Sequence, residues 1–137
     1  KPGPSSGPAF IATNAAFRWG VMGDSVKARN DTAFLDSLKT MTVNTIDISA
    51  ELDAGAETEN QILSSAKGGA VMGHPYNAIL FLLDQLHQRG VQLAAGDMIS
   101  LGAYASPKPV GGIQQVRVEY IGIDGAQTLT VSAKFHP

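Results

Sequence analysis

The 137-residue chain contains no cysteine. That excludes disulfides, thiolate nucleophiles and any zinc or iron–sulfur site built on sulfur, and it leaves the compartment open, so a cytoplasmic location is the default expectation. Charge is sparse, at 16% of residues, and 10 Lys and Arg against 12 Asp and Glu give a net charge of −2. The basic residues are scattered singly from Lys1 to Lys134. With no cluster to neutralise a phosphate backbone, nucleic acid is not an expected partner. No apolar run approaches the roughly 18–20 residues that span a bilayer, so no membrane association is expected. The opening residues, KPGPSSGPAF, also lack the apolar core of a signal peptide. The chain starts at Lys1 rather than a methionine, from which a preceding segment is expected.

What is present is enough apolar material, 44% of residues, to bury one core. We read residues 1–8, rich in Pro, Gly and Ser, as a flexible tail and residues 9–137 as a single domain. Ala16 to Met22 alternates as a buried strand would, and Asp31 is a plausible cap for one or two helical turns bearing Phe34, Leu35 and Leu38. Met41 to Leu52, with Val43, Ile46 and Ile48 among β-branched neighbours, reads as a strand, and Gln61 to Val71 returns beside it. Pro75 in the first helical position and Gly90 as a stop frame one principal amphipathic helix, about residues 75–89. Its apolar face is Ile79, Leu80, Leu82, Leu83 and Leu86, expected to pack on the sheet. Val116, Val118 and Tyr120, then Leu129, Val131, Ala133 and Phe135, alternate as two strands joined at Asp124-Gly125, a C-terminal β-hairpin. The fold class is therefore α+β and β-rich.

The candidates for chemistry are few. His87 lies on the polar helix face and His136 next to the C-terminus, so both read as solvated surface residues. His74, just before Pro75, can give a ring nitrogen to the free backbone N–H groups of the helix start, with contact to a ligand carboxylate as the alternative. The acidic pairs Glu51/Asp53 and Glu57/Glu59 have the two-residue spacing that could chelate a divalent cation, but their turn setting favours solvated acids. Gly68, Gly69 and Gly73 lack the order of a phosphate-binding loop and read as close-packed backbone.

The run from Ala70 to Ala103, AVMGHPYNAILFLLDQLHQRGVQLAAGDMISLGA, joins a Gly-His-Pro helix start, an amphipathic helix, a glycine stop and a Gly-Asp turn into a strand. In that order of parts it resembles the hydratase/decarboxylase branch of the fumarylacetoacetate-hydrolase-like enzymes. The likeness extends from about Ile11 to Phe135 and covers what would be the C-terminal half of such an enzyme. It implies a mixed β-roll or barrel-like sheet and a small keto- or dienoate-type substrate. A substrate-lining stretch of the family reads here as Ala12-Thr13-Asn14-Ala15-Ala16, without its acid and hydroxyl, and a second as Ser100-Leu101-Gly102-Ala103, without its threonine. The residues the resemblance assigns to substrate binding are Asn14, Ser100 and Gly102, with His74 at the helix start. It assigns no catalytic residue and no metal ligand to this chain. The family's metal-binding glutamates and substrate lysine belong to the N-terminal half, so magnesium or manganese is implied only if a complementary N-terminal segment or chain supplies them.

Two functions follow as expectations. One is a diverged lyase, isomerase or cyclase subunit acting on a small keto- or dienoate-type or more apolar substrate and needing that missing half, the expected partners being a small-molecule substrate and either further copies of this chain, as a homo-oligomer, or a complementary N-terminal chain. The other is a non-catalytic scaffold or small-ligand binding module that kept the fold and lost the chemistry.

Overall fold

A computed structural model describes residues 20–52, 60–106 and 111–135. The tail at 1–8, Asn14 and the acidic residues Asp53, Glu57 and Glu59 lie outside them. Helix α1 spans Thr32–Thr40 and leads through Met41 into strand β1, Thr42–Asp47. A 3-10 turn at Ser49–Leu52 follows, then strand β2, Gln61–Lys67, a second 3-10 turn at Gly68–Ala70 and helix α2, Pro75–Gln88. Strands β3, Gln115–Ile123, and β4, Gln127–Lys134, close the chain as the expected hairpin. Asp124 and Gly125 at its tip both have positive φ, the conformation for which that pair is suited.

The four strands form one sheet in the order β2-β1-β3-β4, and all three pairings are antiparallel. The α+β class, the helix near 75–89 and the hairpin stand as the sequence suggests. Paired residues point to the same side of a sheet, so the register sorts the side chains into two faces. Val43, Thr45, Val116, Val118 and Tyr120 share one face, continued by Leu129, Val131 and Ala133 on β4. Asn44, Ser65, Arg117, Glu119, Thr130 and Ser132 share the other. One face of the sheet is therefore largely apolar and the other largely polar.

Helix α1 is fixed at the end of the sheet where β1 begins. Its cap is Asp31, whose carboxylate accepts from the Phe34 N–H at 2.9 Å. Phe34, Leu38, Met41 and Val71 are buried there, while Val43, Ile46 and Ile48 are buried along and just beyond the central strand. The approach is close because residue 68 is glycine: a Cβ on Gly68 would stand 1.8 Å from the Leu38 carbonyl oxygen. The Gly68 N–H in turn donates to the Met41 carbonyl at 2.9 Å.

Three expectations are corrected. Helix α2 does not lay one apolar face on the sheet: Pro75 is its sole buried residue, Leu80 and Phe81 are 63% and 56% exposed, and among the described elements its main neighbour is the Gly68–Ala70 turn. Its apolar residues run from Ile79 through Leu83 without a break, which spreads them around the helix instead of along one stripe. No strand follows the Gly96-Asp97 turn; residues 98–103 are irregular, Met98 is exposed, and Gly102 takes φ +103°, which interrupts extended backbone. Gly20 to Met22, the described part of the expected first strand, is likewise irregular, with Val21 and Met22 exposed. Gly23 then passes so close to β4 that a Cβ there would lie 2.9 Å from the Thr130 carbonyl oxygen.

Candidate functional site

The apolar face of the sheet and the irregular segment Gly102–Ser106 enclose a cleft of about 370 Å³. Val43 and Thr45 of β1, Leu63 and Ser64 of β2, and Val116, Val118 and Tyr120 of β3 form its floor. The register between β1 and β2 shifts between Thr45 and Ile46, which adds Leu63 beside Ser64 at the edge of the cleft. Gly102 through Ser106 form the opposing wall, and Ile113 and Phe135 close the end.

That end is set by Ser49. Its hydroxyl donates to the Asp47 carboxylate at 2.5 Å and accepts from the backbone N–H groups of Gln114 at 2.8 Å and Gln115 at 3.2 Å. The Ser49 N–H also donates to Asp47, at 2.9 Å. The Gln114 carbonyl then accepts from the Phe135 N–H at 2.7 Å. One serine thus ties the end of β1 to the start of β3 and holds Ile113 and Phe135 at the cleft.

Among the described residues, the polar groups that line the cleft are neutral. Thr45, Ser64 and Ser106 contribute hydroxyls, and Tyr104 and Tyr120 contribute phenols. The two tyrosine rings meet edge to face, with centroids 6.2 Å apart and planes at 78°. Burial raises the Tyr104 phenol above its ordinary pKa, with the neighbouring Tyr120 acting in the same direction, and burial raises that of Tyr120 as well. Both therefore stay protonated hydrogen-bond donors across the physiological range.

The residues proposed from sequence are distributed unevenly around this cleft. Gly102 lines it. Ser100 is exposed and is not among the lining residues, and Asn14 is outside the described residues. His74 caps α2: its Nδ1 accepts from the Tyr76 N–H at 3.1 Å, so the ring proton sits on Nε2, 3.0 Å from the Leu35 carbonyl oxygen. Both ring nitrogens thus bind backbone, and the imidazole joins the start of α2 to α1. The tyrosine pair was missed. Tyr120 carried a signal, being in phase with Val116 and Val118, whereas Tyr104 lies in an aperiodic stretch with none.

Among the described residues no three His, Asp or Glu side chains gather where they could hold a metal ion. Hydroxyls and phenols are poor ligands for magnesium compared with carboxylates, so the described residues do not fit the divalent cation that the family resemblance implies. Nor is any helix among them long and apolar enough to cross a membrane.

No family model and no solved structure matches the chain. Two curated proteins are similar to it. Over 79 residues it is 30% identical to the 4-oxalocrotonate decarboxylase of Pseudomonas sp. (strain CF600), an alignment covering 58% of this chain and 28% of that protein. It is 29% identical, with the same coverage, to the 4-oxalocrotonate decarboxylase of Pseudomonas putida. The chain thus spans less than a third of the length of the relatives it matches, and the similarity is distant and partial.

Proposed function

We propose that this chain is the ligand-enclosing, β-rich portion of a diverged hydratase/decarboxylase-like lyase, with the cleft between the sheet and Gly102–Ser106 as its substrate pocket. The similarity to the two decarboxylases carries the reading, and the cleft supports it with a site of suitable size, since small-molecule pockets occupy about 300–1,000 Å³. The substrate is a small unsaturated or carbonyl-bearing molecule. In this arrangement the apolar sheet face excludes water from it, and the hydroxyls of Thr45, Ser64 and Ser106 and the two phenols supply hydrogen bonds that orient its carbonyl oxygen. The acidic groups of the full reaction come from a complementary segment or chain.

The protein should be isolated in its native assembly, its chains identified by intact mass, and the assembly offered unsaturated 2-keto acids and their neutral analogues while loss of the conjugated chromophore is followed. The expected result is an assembly that bears the acidic segment with the metal-binding glutamates, turns over at least one of these compounds, and loses that activity when Val118→Trp fills the cleft. An assembly that carries the acidic segment but is inert, or one that holds this chain alone, would overturn the lyase reading.

One observation favours the second reading, a non-catalytic small-ligand binding module. Apart from the two tyrosines, no described residue lining the cleft is ionisable, so none is placed to act as a general base at neutral pH. Saturable binding without turnover in the native assembly is its signature.

A further inference from the structure

We infer that helix α2 is the seam of a homodimer, in which it packs antiparallel against α2 of a second copy of this chain across a two-fold axis. This pairing involves neither the cleft nor the lyase reading.

One side of α2 offers apolar side chains to solvent. Leu80 and Leu83 are exposed, as are Met72 just before the helix and Val91 just after it, while Ala78, Leu82 and Gln85 on the opposite side are half-buried. Exposed apolar surface of this extent marks an interaction site. A groove opens at the C-terminal end of the same side. Gly90 takes φ +69° and turns the chain back, so that the Val91 N–H donates to the Leu86 carbonyl at 2.9 Å. Val91 and Leu93 thereby join Leu83, Leu86 and His87 in lining a groove of about 380 Å³.

The order of residues along the stripe selects the occupant. Tyr76, Leu80, Leu83 and His87 follow one another at intervals of four, three and four, which keeps them on one side of a helix. A two-fold contact sets residue i against j and j against i, so an antiparallel stripe must match itself when read backwards. Turned about the point midway between Phe81 and Leu82, Leu80 meets Leu83 of the second copy, and Tyr76 meets His87, a phenol donor against an imidazole acceptor. Met72 and Val91, each four residues beyond an end of the stripe, also come level. Tyr76 of each copy then enters the groove beside Leu83, Leu86 and His87 of the other, as a knob enters a hole. Asp84 is the only charged residue of α2, and it comes level with Ile79 instead of its own counterpart. This self-match favours a second copy over an unrelated protein.

An interface of one 14-residue helix per copy is at the small end for specific contacts, so the dimer should dissociate on dilution. The test is sedimentation equilibrium of the full chain over a range of concentrations, where the mass should rise from 14.3 kDa towards twice that value. Leu80→Glu, at a site already open to water, should hold the mass at one chain with helical circular dichroism unchanged. Phe81→Glu is the control: similarly exposed but about a third of a turn from the stripe, it should leave the dimer intact.

The direction of pairing is read separately. Since the chain has no cysteine, Tyr76→Cys and His87→Cys chains can be mixed and treated with a short bismaleimide. Links between the two variants should predominate over self-links, whose sites stand about 16 Å apart along the helix axis, and intact mass separates the products. This measurement decides the matter if Leu80→Glu does not fold. A chain that stays at 14.3 kDa at every concentration, a folded Leu80→Glu variant that still dimerises, or predominant self-links would each overturn the dimer. So would a native assembly in which a different polypeptide covers α2 and this chain is present once.

Discussion

The hydroxyl of Ser37, in the middle of α1, accepts a hydrogen bond from the backbone N–H of Asp124 at the tip of the β3–β4 hairpin, at 3.0 Å. The same hydroxyl donates to the Phe34 carbonyl at 2.7 Å, so a buried polar atom is satisfied as both donor and acceptor. Arg29 reinforces the junction from outside, donating to Asp124 through Nη1 at 2.6 Å and through Nη2, and to Asp31 through Nε at 2.8 Å. Arg29 is exposed and Asp124 partly so, which leaves that ion pair open to screening by solvent, whereas the Ser37 bond is made by a buried side chain.

Replacing Ser37 with alanine should therefore leave the Asp124 N–H without its partner and destabilise the fold by about 1–3 kcal/mol. The check is urea denaturation, where the midpoint should fall while the slope stays unchanged. An unaltered midpoint would show that water replaces the hydroxyl at no cost.

Two adjacent glycines should behave differently. The Cβ of Gly68→Ala would stand 1.8 Å from a backbone oxygen of α1, and backbone cannot swing aside as a side-chain tip can. A loss on the order of 3 kcal/mol or more, or failure to fold, is expected. The Cβ of Gly69→Ala meets nothing nearer than 3.4 Å, and its stability should stay within about 0.5 kcal/mol of the parent. Thermal unfolding of the two variants side by side gives the comparison directly.

The tyrosine pair makes stability depend on alkaline pH. Burial raises both phenols, so the folded state holds their protons to higher pH than the unfolded chain does. Their contribution is complete below the unfolded value, about pH 10, and is lost as pH rises from there through the folded values. Urea midpoints measured from neutral to strongly alkaline pH should fall across that window, and the double variant Tyr104→Phe, Tyr120→Phe should flatten the fall.

The parts legible in the sequence are those whose cause is local. Asp31 as a helix cap, Pro75 as a helix start and Asp124-Gly125 as a hairpin tip each act within a few residues, and each stands in the fold. His74 is a partial case: its bond to Tyr76 is two residues long and foreseeable, but its bond to Leu35 crosses 39 residues. The cleft was mostly illegible because it depends on register. Which residues face Val118 follows from β1 pairing with β3, a pairing no local pattern specifies, and Tyr104 reaches Tyr120 only once that sheet exists. The packing of α2 failed for a related reason, since periodicity identifies an apolar helix but not what lies beside it.

The central seam of the sheet joins Thr42 to Ile121 and Asp47 to Val116, and the chain between them makes β2, α2 and the cleft wall before returning. Such a seam can close only after a long loop has been brought together, so it sets a slow step in folding, and the two flanking hairpin-like pairs can form ahead of it. The entropy of that closure grows only with the logarithm of loop length, by about 0.6 kcal/mol for each doubling. The excursion that carries α2 and the Gly102–Ser106 wall is for that reason the part of the chain in which evolution could lengthen, shorten or rebuild sequence while the four strands kept their register.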